Sequence, residues 1–315
     1  MKETKLSIIV PIYNVEAYLE KCVKSLCSQK LDFAEILLID DGSTDNCPNI
    51  ADMLAQKYKN VMVFHKTNGG LGDARNFGVQ KAKGKFVMFI DSDDYVDEGI
   101  KEVEKYLEDG LDAILMGYKA EYLKSTKLIK NDQTILCDND DLVVDNVIKV
   151  CTNRNSAIIK IVNREFLLKN KLTFNKGFAE DYDYSGRLYT KLNTALVTTM
   201  IFYHYVAERE SSIMNTYKKQ RFDDMITHSK RIFAELEKAN ISNKRKERIK
   251  QFVGFNIIRN FANVKKLDKK ERSEAYKLLK QNKNLYAKQG PLFMKLFVLF
   301  GKVFGFSLAY KLVKI

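Results

Sequence analysis

The first hundred residues alternate between two hydrophobic patterns. Leu6–Ile12 is an almost wholly apolar run with Pro11 near its end, as expected of a strand buried on both faces. Behind it, Asn14–Gln29 places apolar or small residues at Val15, Leu19, Cys22, Val23 and Leu26, the spacing of one helix face. Glu35–Ile39 reads as a second buried strand, closed by Asp40, Asp41, Gly42 and Ser43. Ser43 or Thr44 is placed to cap a helix over Cys47–Tyr58. Val61–His65 reads as a third strand, Gly69–Gly72 as a glycine-rich turn, Asp73–Lys83 as a helix and Lys85–Ile90 as a fourth strand ending at Asp91, Ser92, Asp93 and Asp94. The order β-α-β-α-β-α-β predicts a mostly parallel, Rossmann-like α/β sheet flanked by helices. Ligands of such sheets sit outside the carboxyl ends of the strands, where Tyr13, Asp40, Asp41, Asp91 and Asp93 fall.

The rest of the chain is less regular. Strands are expected over Asp112–Tyr118 and Thr194–Tyr205, and helices over Asp141–Val150 and Asp181–Leu192. From Asn215 onward the period is helical, through Tyr217–Ala239, Asn243–Val264 and Lys269–Lys288, until Gly290 and Pro291 break it. An apolar, lysine-spiked tail, Leu292–Ile315, follows. The expected organisation is an α/β domain over 1–215, with halves 1–100 and 101–215, and a helical extension over 216–315.

Charge sharpens that division. The 315 residues carry a net charge of +13, yet residues 216–315 hold 25 Lys and Arg against 8 Asp and Glu, leaving 28 against 32 for residues 1–215. The front is mildly acidic, and the back is a basic surface suited to anionic lipid or a polyanion. The tail is long enough to span a bilayer, but Lys295, Lys302 and Lys311 interrupt it, so a segment lying in the interface is expected. Packing on the catalytic domain, or a homo-oligomer seam, are its other uses. The five cysteines form no zinc-binding spacing, and the start lacks the apolar core of a signal peptide; reduced thiols in a cytoplasmic chain are expected.

Four segments carry candidate chemistry. Asp91-Ser92-Asp93-Asp94 follows a buried strand, and carboxylates two residues apart can share a side and hold a hard divalent cation. Asp40-Asp41-Gly42-Ser43-Thr44-Asp45 offers a carboxylate to an N–H on a base edge. In both, a capped turn or helix start would use the same residues. In Val10-Pro11-Ile12-Tyr13-Asn14, Tyr13 could stack on a base. In Asn68-Gly69-Gly70-Leu71-Gly72-Asp73-Ala74-Arg75-Asn76, the glycines permit close backbone approach and Arg75 offers a planar donor fork. No Walker loop is present, and no dinucleotide fingerprint follows the first strand.

Taken together, VPIYN, EILLIDDGSTD, NGGLGDARNFG and GKFVMFIDSDD, in that order, resemble the nucleotide-binding half of glycosyltransferase family 2, inverting enzymes of GT-A fold. The resemblance covers about the first hundred residues and implies a GT-A catalytic domain. By its implication Tyr13 and Asp41 hold the base with Asp40 close by, Arg75 lies against base or diphosphate, and Asp91 faces the ribose. Asp93, with Asp91, binds Mn²⁺ or Mg²⁺. Pro11, Gly70 and Ser92 belong to the same nucleotide-sugar site. An acidic pair in the acceptor half supplies the general base in this family. Here Glu180-Asp181 fits, Asp181 first and Glu180 second, although both residues would also suit the first turn of a helix for its dipole alone. The segment Tyr203–Ile213 resembles a closing segment of polysaccharide-making members and brings His204 and Arg209 to the diphosphate or metal.

The function so implied is inverting transfer of a sugar from a nucleotide-sugar, UDP-linked by expectation, to a glycan or lipid-linked acceptor during surface polysaccharide synthesis. It would take place in the cytoplasm, peripherally at the inner face of the membrane. The alternative is an inactive, nucleotide-binding member that partners a polysaccharide-synthesis complex. A nucleotidyltransferase would want a phosphate loop after the first strand. Nucleic acid is not an expected partner, because the basic helices lack interleaved aromatics and the acidic strand tips repel phosphate.

Overall fold

The computed structural model describes residues 4–149, 154–207 and 217–286. Arg209, Cys151 and the tail Leu292–Ile315 lie outside the described residues, as does the end of the helix expected to reach Lys288. The chain forms two compact units, which are described one at a time. The first comprises residues 1–138, 156–176 and 192–210; the second comprises 139–155, 177–191 and 211–315. These units cut across the numbering expected from sequence, because two segments that precede residue 215 cluster with the C-terminal helices.

The first unit is built on an eight-stranded sheet. Strands β1 (Leu6–Ile12), β2 (Ala34–Asp40), β3 (Val61–His65) and β4 (Phe86–Phe89) are mutually parallel in the order β3-β2-β1-β4. All seven residues of β1 and all seven of β2 are buried, which is why these strands read as nearly continuous apolar runs; the polar Ser7 and Glu35 satisfy each other across them (2.5 Å). The sheet continues through β10 (Lys160–Asn163), β6 (Ala113–Leu115), β11 (Ala195–Val197) and β9 (Ile135–Cys137). Here β10 runs antiparallel to both β4 and β6. Helices α1 (Glu16–Cys27), α2 (Cys47–Lys57) and α3 (Leu71–Lys81) are the crossovers between the first four strands.

A second sheet of four strands, β5 (Tyr95–Val96), β12 (Tyr203–Val206), β7 (Tyr118–Tyr122) and β8 (Ser125–Ile129), belongs to the same unit. It corrects two expectations. The single strands read over Asp112–Tyr118 and Thr194–Tyr205 each split in two, with β6 and β11 in the large sheet and β7 and β12 in the small one. Gly117 makes the first transfer: a Cβ there would stand 2.4 Å from the Ile129 carbonyl oxygen. At the second, Thr198 turns its hydroxyl and its N–H onto the Leu115 carbonyl, so its hydrogen bonds end the run.

Two smaller corrections concern helix starts. Ser43 and Thr44 do not cap α2; Ser43 Oγ accepts the Asn14 N–H (3.2 Å), and the Thr44 N–H donates to Asn14 Oδ1 (2.8 Å). Helix α3 begins at Leu71, so part of the expected glycine turn is its first turn, and Gly70 at φ 89° precedes it. Gly78 of α3 lies on β1, where a Cβ would come within 2.4 Å of Ile9 Cγ2.

The second unit is helical. Its elements include α5 (Glu180–Tyr189), α6 (Lys219–Lys238), α7 (Asn243–Phe261) and α8 (Lys269–Gln281); the short α4 (Arg164–Lys169) belongs to the first unit. The helix expected over Asp141–Val150 is a turn at Asp140–Leu142 continued by a π-type stretch, Val143–Ile148. Helix α5 is buried from Tyr182 through Tyr189. Tyr182 stacks on Phe252 of α7 (5.3 Å) and hydrogen-bonds Ser229 of α6 (2.8 Å), and Gly186 meets Ile232. The Tyr189 carbonyl accepts two bonds from the buried Arg245 guanidinium.

Candidate active site

The carboxyl ends of β1, β2 and β4 bring the expected nucleotide-sugar residues together. β1 delivers Pro11 and the exposed Tyr13; β2 delivers Asp40 and Asp41, both buried. The Asp41 carboxylate is the organising group. Its Oδ1 accepts the Gly69 N–H (2.9 Å) and Lys66 Nζ (2.5 Å), and its Oδ2 accepts the Gly70 N–H (2.7 Å). The Asn68 side chain donates to the Asp41 carbonyl (2.9 Å), fixing the start of the same turn. Two consecutive backbone donors and an ammonium thus pull the glycine turn onto the tip of β2. Lys66 also bridges to Asp73 (2.7 Å), which ties the turn to the first turn of α3. Two carboxylates around one ammonium raise its pKa against the opposing effect of burial. Sequence reading missed Lys66; the available signal was a lysine directly after a strand tip that carries acids.

Asp40 serves its own turn. Oδ1 accepts the Ser43 N–H (3.0 Å), and Oδ2 pairs with His65 Nδ1 (2.8 Å). His65 also meets Asp52 (3.2 Å), and these bonds, that to Asp40 foremost, raise its pKa.

Behind β4, Arg75 is buried from α3 and donates through Nη2 to Asp91 Oδ1 (2.8 Å). Its guanidinium lies 5.2 Å from the Phe174 ring centroid, within cation–π reach. The acidic turn itself is anchored from β12. The Tyr203 hydroxyl accepts the Asp91 N–H (3.1 Å) and bonds Asp94 Oδ2 (2.6 Å), while the Val206 N–H donates to Asp94 Oδ1 (2.8 Å). Burial, and then the nearby Asp91 charge, push the Asp94 carboxyl up to about 8. Asp94 therefore faces inward as a structural acid. Ser92 is buried, whereas Asp91 and Asp93 are half-buried.

Among the described residues, no group of three or more His, Cys, Asp or Glu side chains forms a ready metal cage. The donor set still fits a hard cation, since Mg²⁺-type ions are commonly held by one or two carboxylates together with substrate phosphates. Asp93 and Asp91, both half-buried in the turn after β4, offer carboxylates of that kind.

His204 is on β12, but the structure surrounds it with other partners. Nδ1 bonds Glu121 (2.6 Å), Nε2 bonds Asp97 (3.0 Å), and the ring stacks on Tyr95 at 4.4 Å. Lys119 completes this cluster through Asp97 (2.7 Å). Glu180 and Asp181 open α5 in the helical unit, both half-buried, after Ala179 in the left-handed conformation. They are not in the unit that carries the strand tips.

The aromatic ring, carboxylates, glycine turn and arginine lie at the carboxyl ends of the strands, where α/β sheets of this class bind their ligands. The chain belongs to glycosyl transferase family 2, whose model matches residues 7–167. EpsH of Bacillus subtilis (strain 168) is 30% identical over 231 residues, 71% of this chain and 66% of that protein. Poly(ribitol-phosphate) beta-glucosyltransferase of Bacillus spizizenii is 30% identical over 219 residues, 67% of this chain but 33% of that protein. The chain therefore spans between a third and two thirds of these relatives. S. aureus TarS 1–349, solved with UDP-GlcNAc, superposes with a TM-score of 0.78 at 21% identity, covering 97% of this chain and 89% of that one. This likeness establishes the GT-A fold.

Proposed function

We propose that the chain transfers a sugar, with inversion, from a UDP-sugar to a hydroxyl of a glycan or lipid-linked acceptor during bacterial surface polysaccharide synthesis. The observation that carries the reading is the Asp41-centred turn beside the exposed Tyr13, with the Arg75–Asp91 pair at the next strand tip. Membership of the family, the glucosyltransferase relative and the UDP-GlcNAc bound to TarS support it.

Tyr13 stacks on the base. A carboxylate offers about four acceptor positions, and Asp41 spends three on Lys66, Gly69 and Gly70, so one remains for a base N–H. Arg75 orients Asp91 toward the ribose. Asp93 and Asp91 hold Mn²⁺ or Mg²⁺, which when bound stabilises the diphosphate leaving group. Asp181 takes the acceptor proton, with Glu180 as its neighbour in the same turn. No helix among the described residues is long and apolar enough to cross a membrane. Contact with anionic lipid is assigned to the basic residues after 216, where 25 Lys and Arg stand against 8 Asp and Glu.

The test is a panel of nucleotide-sugars with Mn²⁺ or Mg²⁺, with and without EDTA, scored by thermal stabilisation and nucleotide diphosphate release. One UDP-sugar should stabilise the protein and be slowly hydrolysed in a metal-dependent way. Asp93→Ala should lose the metal dependence and release nucleotide at least ~100-fold more slowly, the scale of losing a key charge-stabilising group. Full metal-dependent release in that variant would remove Asp93 from its role, and silence toward every donor, with and without acceptor, would overturn the reading.

A further inference from the structure

Helix α5 starts without the usual device for holding a first turn. Its N-cap is Ala179, which has no side-chain acceptor, and no side-chain cap bond is formed. Ala179 is also left-handed, at φ 61° and ψ 29°, a conformation that strains a non-glycine residue. Such an outlier persists only where the surroundings over-determine it. The surroundings here are one face of α6. The Phe178 N–H donates to Asp224 Oδ2 (2.9 Å), and the Phe178 carbonyl accepts from His228 Nε2 (3.1 Å). A carbonyl can only accept, so Nε2 carries the hydrogen. Asp224 and His228 are one helical turn apart, so both polar groups of Phe178 are gripped from the same stripe.

The grip is itself supported. Gln220 donates to Asp224 Oδ1 (2.7 Å), and the Arg221 guanidinium lies 5.6 Å from the Phe178 ring. His228 is buried. Gly177, at φ 94°, leaves room for the carboxylate: a Cβ there would stand 2.5 Å from Asp224 Oδ2. The first intrahelical bond of α5 runs from the Asp183 N–H to the Ala179 carbonyl (3.2 Å). Asp183 is fixed in turn by Arg187 (2.7 Å). Holding the residue before Ala179 therefore holds the carbonyl that anchors the turn carrying Glu180 and Asp181.

We propose that Asp224 and His228 are positioning residues for Asp181: they replace the missing cap of α5 from outside and fix the first turn from which the general base works. The inference rests on the proposed role of Asp181. His228→Leu removes the donor, and His228→Gln restores one, because the glutamine amide offers an N–H at comparable reach. With UDP-GlcNAc as donor and water as acceptor, His228→Leu should lower kcat by about 10- to 100-fold, as expected for a misplaced catalytic group. The donor KM should move by less than about twofold, because ground-state binding is untouched. His228→Gln should recover most of the loss. Amide exchange over residues 179–184 should quicken in His228→Leu and return to normal in His228→Gln. Gly177→Ala, which presses a methyl against Asp224 while leaving both gripping side chains in place, is the second variant; it should reproduce the exchange and the kcat loss. Each rate is normalised to the folded fraction from thermal unfolding, and Gly177→Ala is scored alone should His228→Leu not fold.

Wild-type exchange over 179–184 in the folded variants would overturn the proposal, as would unchanged kcat. A further loss from His228→Leu in an Asp181→Asn background would also overturn it, because the grip acts only through Asp181. Full turnover by Asp181→Asn alone would take the base, and this inference with it, out of the enzyme. Should the wild type be inert to UDP-GlcNAc, the donor assignment falls, and the exchange comparison still decides the grip.

Discussion

Lys66 and His65 sit side by side at the end of β3 and serve neighbouring acids, Lys66 joining Asp41 to Asp73 and His65 joining Asp40 to Asp52. The histidine makes one pH dependence readable. Its folded pKa is raised, so its contribution to stability is fully present below the unfolded value near 6.5 and is lost as pH rises through the higher folded value. The melting temperature of the wild type should exceed that of His65→Gln more at pH 6 than at pH 8.5. Equal differences at the two pH values would show that protonation of His65 adds nothing to stability. At this scale Asp40, Asp41 and Asp91 were readable from sequence, since they close apolar strands and Gly42 or Ser92 follows directly on Asp41 and Asp91. Their partners were not. Tyr203 reaches Asp94 across 109 residues, and nothing local to either position announces the other. His204 shows the same limit, because the carboxylates that flank it come from β7 and from the residue after β5.

Elements were legible where one element does one job. β1 and β2 are buried along their full length, and a mostly apolar run of that length fits a strand covered on both faces. Apolar runs could not reveal a strand that leaves one sheet for another, because the pattern records burial and not the neighbour. Gly117 was the one local mark of such a transfer. The glycine in α3 is the counterpart case. Gly78 weakens a helix by propensity, yet its missing side chain lets α3 rest on Ile9. Gly78→Val should therefore destabilise the first unit by about 1–3 kcal/mol through overpacking, measured by urea denaturation. A loss below about 0.5 kcal/mol, the level of an ordinary surface change, would mean that Ile9 gives way freely.

For the molecule as a whole, the amphipathic period identified helices after 216, and the charge count identified their basic character; over 217–286 there are 20 Lys and Arg against 8 Asp and Glu. What the sequence pattern lacked was the partner of each apolar face. α5 carries Tyr182, Tyr184, Leu188 and Tyr189 inward, and the groups that receive it include Ser229, Ile232, Arg245 and Phe252. A chain cut after residue 215 should thus keep slow amide exchange in β1 and β2 but exchange residues 180–189 at nearly the rate of an unfolded segment. Full protection of 180–189 in that truncated chain would show that α5 needs none of the later helices.

The same interleaving sets a schedule for biosynthesis. The ribosome releases α5 before the helices that cover it, and the stretch from Tyr189 to the end of α7 at Phe261 takes about 4–14 s at ordinary elongation speeds. Throughout that interval the nascent chain displays three tyrosines and a leucine with no lasting cover, next to the acids assigned to proton transfer. Slow codons placed after 191 would lengthen that exposure without altering a single residue.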